Sequence, residues 1–217
     1  MLLIVVGCTT AAIDPTPTAD RAPTVSPMPT PTDRPTPSPS PSPSPSAAPT
    51  PEVGFGDGTH RVPEDVAPGT YRTTTFTTNC YWTRLRGFES GLKDIIASRI
   101  GSGFQVVTIG RRDRGFDATS CGDWTADLSA VVGTRTEFGD GTYIVGTDIA
   151  PGRYTADEGT GCEWARLRGF GGTRRQVIDR AIVDDGEPPA IKIKPTDVGF
   201  TSSGCGMWRA LDSGSDN

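Results

Sequence analysis

Five cysteines and four tryptophans keep company along this 217-residue chain. Cys80-x-Trp82, Cys121-x-x-Trp124, Cys162-x-Trp164 and Cys205-x-x-Trp208 place every tryptophan within three positions of a cysteine. An indole beside a cystine either packs it into a core or offers a flat platform to a sugar ring or a peptide. Arg84 and Arg86 follow in the segment RLRGF, and Arg166 and Arg168 stand in a second RLRGF. A guanidinium can grip carboxylate or phosphate through two parallel hydrogen bonds. It can equally stack on an indole or pair with a neighbouring acid. On an extended strand alternate residues share a face. Cys80, Trp82, Arg84 and Arg86 then lie on one side, as do Cys162, Trp164, Arg166 and Arg168. The candidate ligand-binding set is therefore Trp82, Arg84 and Arg86 together with Trp164, Arg166 and Arg168.

Catalytic chemistry finds little support. His60 is the one histidine, and Tyr143 takes its place in the second half of the chain. No GxSxG segment occurs, so a serine hydrolase arrangement has no nucleophile elbow. Asp57-Gly58 and Asp140-Gly141 are turn dipeptides. Each offers one carboxylate, whereas a calcium loop needs several closely spaced oxygens. Asp65 and Asp148 match in position but precede a turn, which they are expected to cap or shape. The expectation is no enzyme, no cofactor and no metal site. Net charge is −5 without a basic block, which argues against a nucleic-acid partner.

The elements that must position these residues are duplicated. FGDGT occurs at Phe55 to Thr59 and at Phe138 to Thr142. VPEDVAPGTY from Val62 matches VGTDIAPGRY from Val145, and CYWTRLRGF from Cys80 matches CEWARLRGF from Cys162. GFDATSCGDW from Gly115 matches GFTSSGCGMW from Gly199. Four blocks in one order define an internal repeat. Its copies occupy residues 53–132 and 133–217. Within-copy pairing respects the duplication, so the expected cystines are Cys80–Cys121 and Cys162–Cys205.

Hydrophobic alternation and turn chemistry give the fold class. Pro68-Gly69 and Pro151-Gly152 suit the centre of a type II turn. TYRTTTFTT after the first of them reads as a strand, and AIKIKP alternates with Ile191 and Ile193 inward. Leu92 to Ile100 and Arg174 to Val183 are open to a short helix or a strand, and hairpin spacing favours the strand. With six or seven short strands per copy, the expected architecture is all-β: two tandem small antiparallel β-sandwich or barrel-like domains with one disulfide each.

Residues 9–52 hold 14 of the 20 prolines, among them PSPSPSPSPS from Pro37 to Ser46. Proline at every second position removes half of the backbone donors and fixes φ. The segment reads as a disordered, semi-rigid polyproline spacer with a reach on the order of 100 Å. Its Ser and Thr content is open to O-glycosylation.

The fifth cysteine sits at the start. Val5-Val6-Gly7-Cys8 resembles the bacterial lipobox, in which the cysteine thiol receives a diacylglyceryl group and becomes an acylated N-terminus. Only seven residues precede Cys8 and none is basic, so residues 1–8 read as a truncated lipoprotein signal whose charged start lies upstream. The tandem copies also resemble a repeat of secreted and lipid-anchored actinobacterial-type proteins. The shared pattern runs V..DI.PG.Y, GC.W.RL.GF and GF...GCG.W. That resemblance implies localisation and architecture and names no substrate. The resulting expectation is a non-enzymatic lipoprotein on the extracytoplasmic face of the bacterial cell membrane. It would be held there by its lipid and would display two interaction modules towards a wall polymer or surface protein. The alternative is a carbohydrate- or wall-polymer-binding adhesion module that uses the Trp/Arg face.

Overall fold

The computed structural model describes residues 54–211, except 90, 134 and 185. Cys8 and the proline-rich segment lie outside the described residues. Eight strands form in the first repeat: β1 (Gly54–Phe55), β2 (Gly58–Arg61), β3 (Gly69–Thr73), β4 (Thr77–Leu85), β5 (Ile95–Gly103), β6 (Val106–Ile109), β7 (Gly115–Thr119) and β8 (Trp124–Thr125). The second repeat supplies β9 (Glu137–Phe138), β10 (Gly141–Ile144), β11 (Gly152–Ala156), β12 (Cys162–Leu167), β13 (Val177–Val183), β14 (Ala190–Ile193), β15 (Gly199–Ser203) and β16 (Trp208–Ala210). Each repeat has two four-stranded antiparallel sheets. The orders are β1-β8-β3-β6 and β2-β7-β4-β5 in the first, and β9-β16-β11-β14 and β10-β15-β12-β13 in the second. The two topologies are identical strand for strand, as a duplication requires.

Two local expectations are refined. TYRTTTFTT is not one strand, because β3 ends at Thr73 and β4 starts at Thr77 in the other sheet. The break at Thr74–Phe76 is the crossover between sheets. The segments open to helix or strand resolve into a short 3-10 turn, at Gly91–Asp94 and Arg174–Gln176, followed by β5 and β13. The count of eight strands exceeds the expected six or seven because two-residue strands such as β1 carry no alternation to read.

Each core lies between its two sheets. Phe55 stacks on Trp124 with centroids 6.1 Å apart, and Phe116 meets Trp124 edge-on at 5.4 Å. Phe138 and Trp208 stack at 6.5 Å in the second repeat, with Phe200 edge-on to Trp208 at 5.2 Å. Cys80–Cys121 and Cys162–Cys205 are bonded and belong to these clusters. Each cystine ties β4 or β12 to the segment through which β7 or β15 leaves for the other sheet. The closed loops span 41 and 43 residues, worth about 4 kcal/mol each by loss of chain entropy in the unfolded state. The aspartate of FGDGT fastens the same corner. Asp57 accepts from the backbone N–H of Cys121 and Gly122, and Asp140 accepts from Cys205 and Gly206.

The repeats are joined by more than the chain between them. Arg72 of β3 donates Nη1 and Nη2 to Asp148 of the second repeat at 3.1 and 2.6 Å, and both side chains are buried. Backbone bonds cross as well, from Thr108 N–H to Phe170 O and from Thr142 N–H to Phe104 O. Val106 of β6 packs into a cluster with Ala165, Leu167 and Phe170.

Candidate functional site

Alternation does place Trp82 and Arg84 on one face of β4, and Trp164 and Arg166 on one face of β12. That face is not a free platform. Trp82 is 1 % exposed, stacked on Phe116, and its far edge is closed off by Gly172 of the second repeat. Arg84 donates Nε and Nη2 to Asp113 at 2.7 and 2.9 Å, and Nη1 to Gly171 O at 2.6 Å. Arg166 makes the same fork with Asp197, at 2.7 and 2.9 Å. The guanidinium hydrogen bonds that a ligand carboxylate would use are thus already made by aspartates of the chain, which suits the partly dry surroundings. Trp164 is half-buried, and Arg86 and Arg168 are exposed. Of the six residues, the two arginines that keep their heads in water are the ones that leave the Trp face, because a bulge follows Arg84 and Arg166 in the pairing with β5 and β13.

The other residues weighed from the sequence have structural work. His60 donates Nε2–H to Gly56 O at 2.9 Å. Asp65 accepts from Arg61 N–H at 2.7 Å and Asp148 from Ile144 N–H at 2.7 Å, so both shape the turn before β3 or β11.

Duplication leaves a cleft of about 420 Å³ at the junction, a size that takes a small organic molecule. Its floor is the outer face of the sheet β10-β15-β12-β13. Register places Thr142, Thr201, Ala165 and Arg180 in one row across those four strands. Its wall comes from the first repeat, with Ser98, Arg99 and Ile100 of β5 and Val106 of β6. Arg99 reaches across and donates Nη2 to the Thr201 hydroxyl at 2.6 Å, and Thr201 in turn shares a 3.0 Å bond with Thr142. Nε of Arg99 is buried and meets no acceptor among the described residues. Burial pulls the Arg99 guanidinium below its ordinary pKa, while the charge of Glu163 pushes it back up. Three arginines, Arg99, Arg174 and Arg180, face the single carboxylate of Glu163 around this cleft. The charged lining of the cleft is mostly basic.

A family model for an Rv1352-like extracellular domain matches residues 52–125 and again residues 135–209. The chain belongs to that family. It carries the Rv1352-like domain twice, and the matched segments coincide with the two eight-stranded units. An extracellular domain with one cystine in each copy agrees with the expectation of an extracellular repeat protein. Among curated proteins and solved structures there is no match to this chain.

Sequence reasoning passed over Arg72, Arg99, Asp148 as a cross-repeat partner, and Thr201. Comparison of the two Rv1352-like copies with each other carries the missing signal. Arg72 is matched by Thr155, Arg99 by Ala181, Ala97 by Asp179 and Thr201 by Asp117, within strands that otherwise correspond. A duplicated strand position that differs in charge is a position whose surroundings differ, and these four all lie at the junction.

Proposed function

We propose that the chain is a non-enzymatic surface lipoprotein in which the two Rv1352-like copies work as one binding module. The Cys8 thiol would carry the lipid, and residues 9–52 would hold the module away from the membrane. The observation that carries the one-module reading is the buried Arg72–Asp148 pair across the junction. Two independent beads on a string would raise avidity by effective concentration. Copies locked through a dry, two-pronged ion pair instead present one composite surface. The non-enzymatic reading is supported by the occupations of the candidate groups: the four described cysteines are bonded to each other, His60 is spent on a backbone carbonyl, and Asp65 and Asp148 serve turns.

Anchoring is tested by growing cells that express the full gene with an alkyne fatty acid, then partitioning the protein into detergent. Label and detergent partition are expected for the native chain, with loss of both in Cys8→Ser. An unlabelled native chain overturns the anchor. The alternative, adhesion through the Trp/Arg face, now rests on Arg86 and Arg168, the exposed members of the set. Sedimentation with purified cell walls should be unchanged by Arg86→Ala with Arg168→Ala if the junction is the working surface. Loss of sedimentation would restore that face as the binding site.

A further inference from the structure

The junction cleft brings together a buried cation, apolar walls and room for a ligand. A second cavity, of about 380 Å³ beside Phe88, mixes the acids Glu64, Glu89 and Asp94 with Arg61 and Arg114, so its charge favours neither sign of ligand. The exposed Leu92 and Ile182 are scattered apolar residues of the kind any surface carries. At the junction the case differs. Arg99 comes from the first repeat and its hydroxyl partner Thr201 from the second, so the site exists only in the joined pair. A guanidinium brought out of water with no carboxylate hydrogen-bonded to it is costly, Glu163 acting on Arg99 through its charge alone, and the cost falls when an anion arrives. The cleft also carries Ile100, Val106 and Val177 along its length, which shelter a hydrocarbon body rather than a hydrated ion.

We propose that the cleft binds a small amphiphilic carboxylate, with its head on Arg99 beside the Thr142–Thr201 hydroxyls and its apolar body along Ile100, Val106 and Val177. The inference rests on the reading of the chain as a single binding module and adds the chemical class of what that module holds. Arg174 and Arg180 at the rim would draw the anion in. Glu163 sets a preference for ligands of one negative charge placed deep, because a second carboxylate near the mouth would meet it.

The test is calorimetric titration of the full chain with octanoate, alongside octan-1-ol, which lacks the head, and acetate, which lacks the body. Octanoate is expected to bind at least about tenfold more tightly than either, since a hydrogen bond to a charged group is worth about that factor or more. Arg99→Gln should weaken octanoate by about tenfold or more and leave octan-1-ol unchanged. Arg180→Glu lies on the exposed rim and should weaken octanoate severalfold without touching the fold, so it carries the test should Arg99→Gln unfold. Equal affinity for octanoate and octan-1-ol, or indifference of octanoate to both substitutions, overturns the proposal. Failure here with wall sedimentation intact would sink only the ligand class. Failure of both would sink the binding-module reading as well.

Discussion

Phe88 and Phe170 occupy the same place in the two repeats, at the end of RLRGF, yet Phe88 is 47 % exposed and Phe170 is 7 % exposed. Each ring lies against a glycine of the neighbouring strand, Gly115 or Gly199. A Cβ there would come within 2.5 Å of the Phe88 ring and 2.3 Å of the Phe170 ring. The local fold is the same, and the sequence GF repeats for that reason. What differs is the company. Phe170 is covered by Val106 of the first repeat, while the matching surface around Phe88 faces solvent with Arg61 above it, 5.6 Å from the ring centroid. The contrast runs through the whole junction. Arg84 and Arg166 make the same fork with Asp113 and Asp197, but the spare nitrogen of Arg84 goes to Gly171 across the junction, whereas that of Arg166 faces Asp179 of its own copy at 3.7 Å. One fold, used twice, has been given one interior face and one exterior face.

Breaking the Arg72–Asp148 pair tests this most severely. Asp148→Asn leaves a buried guanidinium without its counter-charge and should cost about 3–5 kcal/mol in urea denaturation of the full chain. Asp65→Asn, at the matched position in the first repeat, removes an acceptor from an exposed backbone bond and should cost about 1 kcal/mol or less. Similar losses for both would mean that the copies do not depend on each other. Truncating the two phenylalanines sharpens the same contrast. Phe170→Ala should cost about 3 kcal/mol or more, and Phe88→Ala about 1 kcal/mol. A Phe88→Ala loss matching that of Phe170→Ala would indicate that the exposed ring is covered by something in solution.

The third and smallest effect concerns acid. Burial is the strongest single influence on Asp197 and pushes its carboxyl up. The Arg166 hydrogen bonds, the Lys194 backbone N–H and the charges of both residues together outweigh it and hold the group below the ordinary carboxylate value. A carboxyl lowered in the folded state stabilises that state above its unfolded pKa of about 3.9, and the contribution fades as pH falls through the folded value. The native chain should therefore lose stability below about pH 4 more steeply than Asp197→Asn, in thermal melts taken from pH 5 downward. Parallel curves would remove Asp197 from the acid response.

Much of this was legible before any coordinates, and the reason is periodicity. Cys80–Cys121 and Cys162–Cys205 followed from the duplication, and the strand at Ala190–Ile193 from alternation. The burial of Trp82, Trp124 and Trp208 agrees with the packing reading of an indole beside a cystine. The Trp/Arg set was harder to place, because alternation tells which residues share a face and not what covers it. Arg84 and Arg166 share the predicted face and meet Asp113 and Asp197, which stand 29 and 31 positions away. Arg99 and Thr201 were out of reach for a related reason. They lie 102 positions apart, in different copies; Arg99 belongs to no repeated block, and Thr201 stands in its block where the first copy has Asp117.

The junction has a direction. The wall of the first repeat meets the outer sheet of the second, so the two faces in contact are unlike, and a contact of that kind would in principle continue from molecule to molecule into a filament. At the free wall of the second repeat the residues that would have to extend it are Thr155 and Ala181, where the first repeat has Arg72 and Arg99. At the free outer sheet of the first repeat, Asp117 stands where the second repeat has Thr201, and its carboxylate is engaged by the Thr59 hydroxyl. The free wall of the second repeat lacks the two arginines that make the existing seam, while Asp65 keeps in the first repeat the carboxylate that Asp148 supplies in the second, so the cationic half of the seam is present once.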